Sequence, residues 1–358
     1  MKEKVPYCSV EEASALIDCC LARNLTFYAC RYPNEVLCRF GAQVSSRPSH
    51  NATNGFRVVP FDVKGAAPLF TIHPEYTVVD FEKLQAMPVQ PVYSLPIEGD
   101  DVDLSTYRKE ADALIEAMKR GEMSKVVLSR TITHACEAHL LMPQYFERLC
   151  ASYPSAYVFI VYYPGVCAWV GATPEVLLSS HATGYSTMAL AGTRPADVST
   201  EWGEKESEEQ QYVAQYIADI LKDQGLMQVK QNTYTHKAGK IEHLCTHFDI
   251  TTPHDSVVRD ALVAALHPTP AVAGTPTARA IEAIKHTEPH SRRYYGGYVG
   301  ECSDDGCCGF FVNLRCMEFW PTAVRLYVGG GLTARSVALD EWGETCAKSQ
   351  TLMSVLNR

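Results

Sequence analysis

The sequence predicts an α+β fold built on antiparallel sheets. Short β-branched runs follow one another through tight turns, helical segments come in blocks between them, and no strand–GxGxxG–helix unit of a dinucleotide fold is present. The chain has 358 residues, 46% of them apolar. A chain of this mass hides roughly 75% of its unfolded surface, so a sizeable core is expected. The length admits two domains or one large domain made of two similar halves. Acidic side chains outnumber basic ones by 41 to 32, a net charge of −9. That balance argues against nucleic acid or an anionic membrane as partner.

The first hundred residues read as short strands and turns around one helix, Val10 to Arg23, and end in a proline-rich approach at Pro88, Pro91 and Pro96. Ser105 is placed to cap a helix running to Arg120, with Gly121 as its stop. Lys125 to Thr133 follows as a strand, and Pro143 opens the next helix. Strands are expected at 158–160, 166–170, 176–179 and 185–190, then a long helix from Gly203 to Lys222. The second half repeats this in kind, with strands near 228–234 and 241–250 and helices at 257–266 and 277–285. Strands at 294–301, 309–319 and 324–329 precede a closing helix from Leu339.

Fourteen cysteines invite a disulfide or metal reading. Met1 to Ser9 is polar and Glu11, Glu12 and Asp18 follow, so no secretory leader is expected and the compartment is expected to be the reducing cytoplasm. Cys302, Cys307 and Cys308 lack the paired spacing of a zinc knuckle, and cysteine is a common small core residue. No apolar span is long enough for a membrane helix; the nearest, Tyr157 to Gly171, is broken by Pro164-Gly165.

Several polar residues stand out. Glu206 and Glu209 lie three apart on the long helix, and Glu341 and Glu344 repeat the spacing on the last. Two such faces meeting would make an oxygen-rich site suited to Mg²⁺; separately they are ordinary solvated helix faces. Lys125 opens an apolar strand, where it can be a base or a snorkelling strand-end lysine. Glu175 sits between Pro174 and an apolar run, where burial would keep it protonated as an acid; such a residue is also a common turn carboxylate. Arg315, within a run that otherwise wants burial, needs an anionic partner, either a ligand or an internal carboxylate. Gly329-Gly-Gly331, after a strand, can offer backbone N–H groups to an anion. His243 is a core or a ligand-facing histidine.

Taken together, ten ordered segments resemble the chorismate-utilising enzymes: Lys125 to Arg130, Gly171 to Leu178, Leu190 to Pro195, Lys205 to Glu209, His243-Leu244, His267 to Gly274, Tyr295 to Gly300, Asn313 to Arg315, Gly329 to Gly331 and Glu341 to Glu344. They span residues 105–358; residues 1–104 match weakly, and the whole chain, 1–358, is expected to be a single catalytic domain. The resemblance implies two pseudo-related halves, with facing antiparallel sheets, helices outside and the active site between the sheets. It implies Lys125 as the base that activates water for attack on ring C2, and Glu175 as the acid that protonates the departing C4 hydroxyl. Glu209 and Glu344 match direct Mg²⁺ ligands, with Glu206 and Glu341 acting through water. Arg315, Tyr295 and the backbone from Gly329 to Gly331 would take the enolpyruvyl carboxylate, while Gly192, Thr193 and His243 would line the ring.

Within that family, ammonia-using members lack the lysine at position 125, and members that expel pyruvate tend to carry Thr or Ser where this chain has Ala271. The pair Lys125 with Ala271 therefore points to isochorismate synthase, acting on chorismate with Mg²⁺, without a glutaminase subunit and as a monomer. Menaquinone, rather than a siderophore, is the expected destination of the product. Salicylate synthase is the alternative, and a non-catalytic thiol-rich metal-binding relative is the reading from another class. Two departures from the family pattern stand out: Gln210 replaces its usual His, and Leu332 to Leu339 lacks the common Gly/Ser-Asp-Pro turn.

Overall fold

The computed structural model describes residues 7–45, 47–49, 52–91, 101–136, 141–196, 201–226, 229–238 and 241–356. The N-terminal part runs β1 Tyr7–Cys8, α1 Val10–Leu21, β2 Thr26–Arg31, β3 Cys38–Gln43, β4 Gly55–Val59, β5 Phe70–Ile72 and α2 Phe81–Gln85. Then follow α3 Leu104–Lys119, β6 Lys125–Ala135, α4 Met142–Ser152, β7 Tyr157–Tyr163, β8 Cys167–Thr173, β9 Val176–His181, β10 Gly184–Pro195 and α5 Glu204–Asp223. The rest comprises β11 Val229–Ala238, β12 Ile241–Thr251, α6 Ser256–Leu266, β13 Gly274–Thr275, α7 Thr277–Thr287, β14 Tyr298–Cys302, β15 Cys308–Val312, β16 Cys316–Trp320, β17 Ala323–Thr333 and α8 Ala338–Leu356.

The strands form two antiparallel sheets. One has nine strands in the order β1-β3-β2-β7-β8-β16-β17-β6-β13, the other eight in the order β11-β12-β10-β9-β15-β14-β4-β5. Strands of the first hundred residues belong to both sheets. An aromatic layer joins the inner faces: Tyr157 stacks on Phe311 with ring centroids 3.9 Å apart, and Tyr28 on Phe56 at 4.3 Å. Such pairs add to the area they bury. Helices α1, α4 and α8 cover the nine-stranded sheet from outside, while α5 and α6 cover the other. No helix among the described residues is long and apolar enough to cross a membrane.

Local sequence accounts for most element ends. Ser9 and Glu12 form a reciprocal capping box at α1. Asp103, not Ser105, caps α3, because its carboxylate reaches the Thr106 N–H at 2.8 Å. Three strand expectations change. The run 309–319 is two strands: Arg315 adopts φ +48°, and β15 and β16 lie in different sheets. Gly329 to Gly331 lies inside β17, paired with Ser129, Leu128 and Val127 of β6 rather than following a strand. Residues 294–297 form a turn before β14, closed by the Gly297 N–H on the Tyr294 carbonyl.

Candidate active site

Two of the crossings that the chain makes between the sheets lie side by side. Pro174-Glu175 links β8 to β9, and Asn313 to Arg315 links β15 to β16. Two backbone hydrogen bonds stitch the crossings together: Val312 N–H to the Glu175 carbonyl and Ala172 N–H to the Arg315 carbonyl, both 3.0 Å. Glu175 and Arg315 consequently face one cavity of about 670 Å³, counting its open mouth. Glu175 is 2% exposed and its Oε1 has no hydrogen-bond partner. Burial pushes its carboxyl up to about 8, against the pull of the Lys125, Arg315 and Lys348 cations.

The opposite wall is β17 with β6 beside it. Lys125 opens β6 fully buried, and its Nζ lies 3.0 Å from Glu209 Oε1 on α5. Glu209 reaches it over Gly331, where an added Cβ would fall 2.3 Å from that same oxygen. On α8, Lys348 Nζ bridges Glu344 Oε1 at 2.6 Å and the Gly329 carbonyl at 3.0 Å. Gly330 turns to the other face of the strand, where a Cβ would meet Glu341 Oε2 at 3.2 Å and the Tyr107 hydroxyl at 3.9 Å. The glycine run is thus space cut out of a strand for acidic side chains arriving from two helices.

The third wall comes from β10 and β12. Gly192, at φ +71°, sits at a bulge in their pairing, and the backbone of Glu206 packs 3.0 Å from where its Cβ would be. His243 Nδ1 bonds the Gly192 carbonyl at 3.1 Å, and its Nε2 lies 3.1 Å from the Arg315 guanidinium. A carbonyl can only accept and a guanidinium only donate, so the ring is neutral with its proton on Nδ1. Burial, with Arg315 and Lys348, holds His243 well below the usual imidazole range. Tyr295 and Tyr327 stack at 5.7 Å along the cavity, and the Tyr327 hydroxyl donates to Glu318, which is also paired with Arg293.

The family model described as "Chorismate binding enzyme" matches residues 77–357. The chain belongs to the chorismate-binding enzyme family. Isochorismate synthase EntC of Escherichia coli K12 is 32% identical over 247 residues, covering 65% of this chain and 62% of EntC, so the chain spans less than two thirds of that relative. Isochorismate synthase DhbC of Bacillus subtilis is 29% identical over 84% of this chain and 76% of that one. The crystal structure of DhbC from Bacillus anthracis superposes with a TM-score of 0.77 at 26% identity, covering 97% of this chain and 99% of that chain.

In this chorismate-binding enzyme the cavity gathers Glu175, Gly192, Glu209, His243, Ala271, Tyr295, Arg315, Gly329 and Gly331, with Lys125 buried beneath Glu209. The Thr193 backbone pairs with His243; its side chain lies outside the described residues. Two of the four expected metal-site glutamates are placed elsewhere. The Glu206 carboxylate folds back against Gly203 at its own helix N-terminus, and Glu341 lies behind β17. Among the described residues, no three His, Cys, Asp or Glu side chains converge as a metal cluster, and Glu209 and Glu344 are each paired with a lysine. Lys348 escaped the sequence reading, although its spacing four residues after Glu344 was a signal. Gln210, in the place of the family His, donates to the Thr246 hydroxyl and ties α5 to β12.

Two outcomes follow from this geometry. Gly331→Ala pushes Glu209 off Lys125 without straining the backbone, so turnover of the family substrate should fall at least about tenfold while thermal unfolding stays cooperative. Glu175 titrates near about 8 folded and near 4.3 unfolded, so the unfolded chain alone sheds this proton as pH rises between them, and stability falls. The Tm of Glu175→Gln relative to the parent should therefore climb from about pH 5 to about pH 8 in unfolding scans; a pH-independent difference contradicts the raised carboxyl.

Proposed function

We propose that the protein is an isochorismate synthase, an isomerase that adds water at ring C2 of chorismate and expels the C4 hydroxyl. The observation that carries this is a carboxyl in the cavity wall whose protonated form burial favours, Glu175, with a buried amine, Lys125, beneath Glu209 of the same cavity. Water is a weak nucleophile and hydroxide a poor leaving group, so the exchange needs a base and an acid at once. Lys125 takes the proton of the attacking water. Glu175 gives its proton to the leaving oxygen; its missing hydrogen-bond partner leaves that oxygen available to substrate.

A chorismate dianion would find Arg315 and Lys348 in the cavity wall to offset its carboxylates. His243, accepting from Arg315 and anchored on Gly192, orients the guanidinium. Glu209 and Glu344 are the residues that would hold Mg²⁺. Both carry hard oxygen donors, and Glu209 lies in a cradle that a Cβ at position 331 would fill. Bound there, the ion would supply charge compensation for a substrate carboxylate. Ala271, small and apolar, offers no hydroxyl at the cavity wall for a following pyruvate elimination. The relatives named isochorismate synthase support the same reading.

Incubation with chorismate and Mg²⁺ should consume chorismate without releasing pyruvate; rapid pyruvate release would instead establish salicylate synthase. Lys125→Ala and Glu175→Gln should each lower kcat by about 10²–10⁴-fold with the fold retained. The parent's rate should decline as pH rises through about 8, where Glu175 loses its proton.

A further inference from the structure

The turn between β14 and β15, whose residues do not line the active-site cavity, holds a second pair of reactive groups. Cys307 Sγ lies 3.5 Å from His254 Nδ1. His254 Nε2 donates to the Gly184 carbonyl at 2.9 Å, which leaves Nδ1 as the acceptor facing the thiol. The ring is also held edge-on against Tyr185 at 5.3 Å. The Tyr185 hydroxyl donates to the Gly306 carbonyl at 3.0 Å and pins the turn that carries the cysteine. A nucleophile, a base within reach and a third group orienting the base form the arrangement that activates a thiol.

Groups of both charge signs surround the sulfur. His254 immediately precedes Asp255, the N-cap of α6, so the thiol sits near the positive end of that helix. The buried Arg259 guanidinium donates to the Ser303 carbonyl at 2.6 Å in the same turn. Asp305 opposes these, accepting from the Cys307 N–H at 3.3 Å, while the neighbouring Cys302 and Cys308 thiols are buried and pushed up by burial. On the His254 side a shallow surface depression opens, bounded by Thr183, Leu226 and Thr251; Cys307 does not line it. Of the fourteen cysteines only Cys136, Cys307 and Cys346 are not fully buried. Cys136 points at the His134 carbonyl and Cys346 accepts from Arg130; neither is paired with a histidine base.

We propose that Cys307, activated by His254, is a modification site that takes low-molecular-weight disulfides of the glutathione class. The thiol proton passes to His254 Nδ1 and the sulfur attacks one sulfur of the disulfide. A Cys307–S bond forms, the S–S bond of the reagent breaks, and the departing thiolate recovers the proton from the imidazolium. The protein thiol is oxidised and half of the reagent reduced, so no further oxidant is required.

The test uses the full chain with oxidised glutathione and, separately, iodoacetamide, followed by mass spectrometry with peptide mapping. One glutathione adduct per chain should form at Cys307, and alkylation there at pH 7 should be about tenfold faster than at Cys136 or Cys346. Cys307→Ser should abolish the adduct and keep chorismate consumption. His254→Gln should slow Cys307 about tenfold at pH 7 and converge with the parent above about pH 9, where an ordinary thiol ionises unaided. Equal rates at the three cysteines, or no effect of His254→Gln on the rate–pH curve, would overturn the proposal.

Discussion

Two adjacent passages of chain between facing sheets set the geometry of everything else. A strand that leaves one sheet for the other must place its linking residues between the two inner faces, where water is scarce. Pro174-Glu175 and Asn313 to Arg315 do this next to each other, tied by Glu175–Val312 and Arg315–Ala172 backbone hydrogen bonds. The buried aromatic layer of Tyr157, Phe311, Tyr28 and Phe56 fills the rest of the space between the sheets. A cavity opens beside the crossings, and the polar residues it contains are those the crossings carry in.

Those polar residues are kept in place by mutual compensation. Lys125 pairs with Glu209, Lys348 with Glu344, and Arg315 is held by neutral His243. Glu175 has no such pairing and stays uncharged by burial, which is the cheaper state for a carboxyl with no hydrogen-bond donor. The net negative charge of the chain consequently says little about this pocket, where the cationic groups are within reach of an anionic ligand. Farther out, the same logic of a histidine fixed by a backbone carbonyl recurs: His243 on Gly192 and His254 on Gly184.

Much of this was legible in the residues. The helices with an apolar stripe and a side-chain cap, α1 and α6, fall where the pattern puts them, because their boundaries are local events. Lys125, Glu175, Glu209 and Arg315 stood out as polar groups in apolar or helical settings; the last three line the cavity, and Lys125 is buried beneath Glu209. Helix spacing alone misled at Glu206 and Glu341. Three residues apart puts two carboxylates on one helix face, but not at one depth: Glu206 belongs to the first turn and lies against Gly203, while Glu341 meets β17 from behind.

The sequence by itself determined the alternation of strands and helices, the amount of apolar surface to be buried and the chemical types available for a site, since these depend on near neighbours in the chain. The tertiary structure decided which of them meet. The run Gly309 to Phe319 is mostly apolar and reads as one strand, and only the packed chain shows that it changes sheets at Arg315. Likewise, Gly331 reads in the sequence as a source of backbone N–H groups, and only the fold shows that Glu209, more than a hundred residues earlier, occupies the volume its missing side chain leaves. Close approach between distant segments is a property of packing, and only the packed molecule holds it.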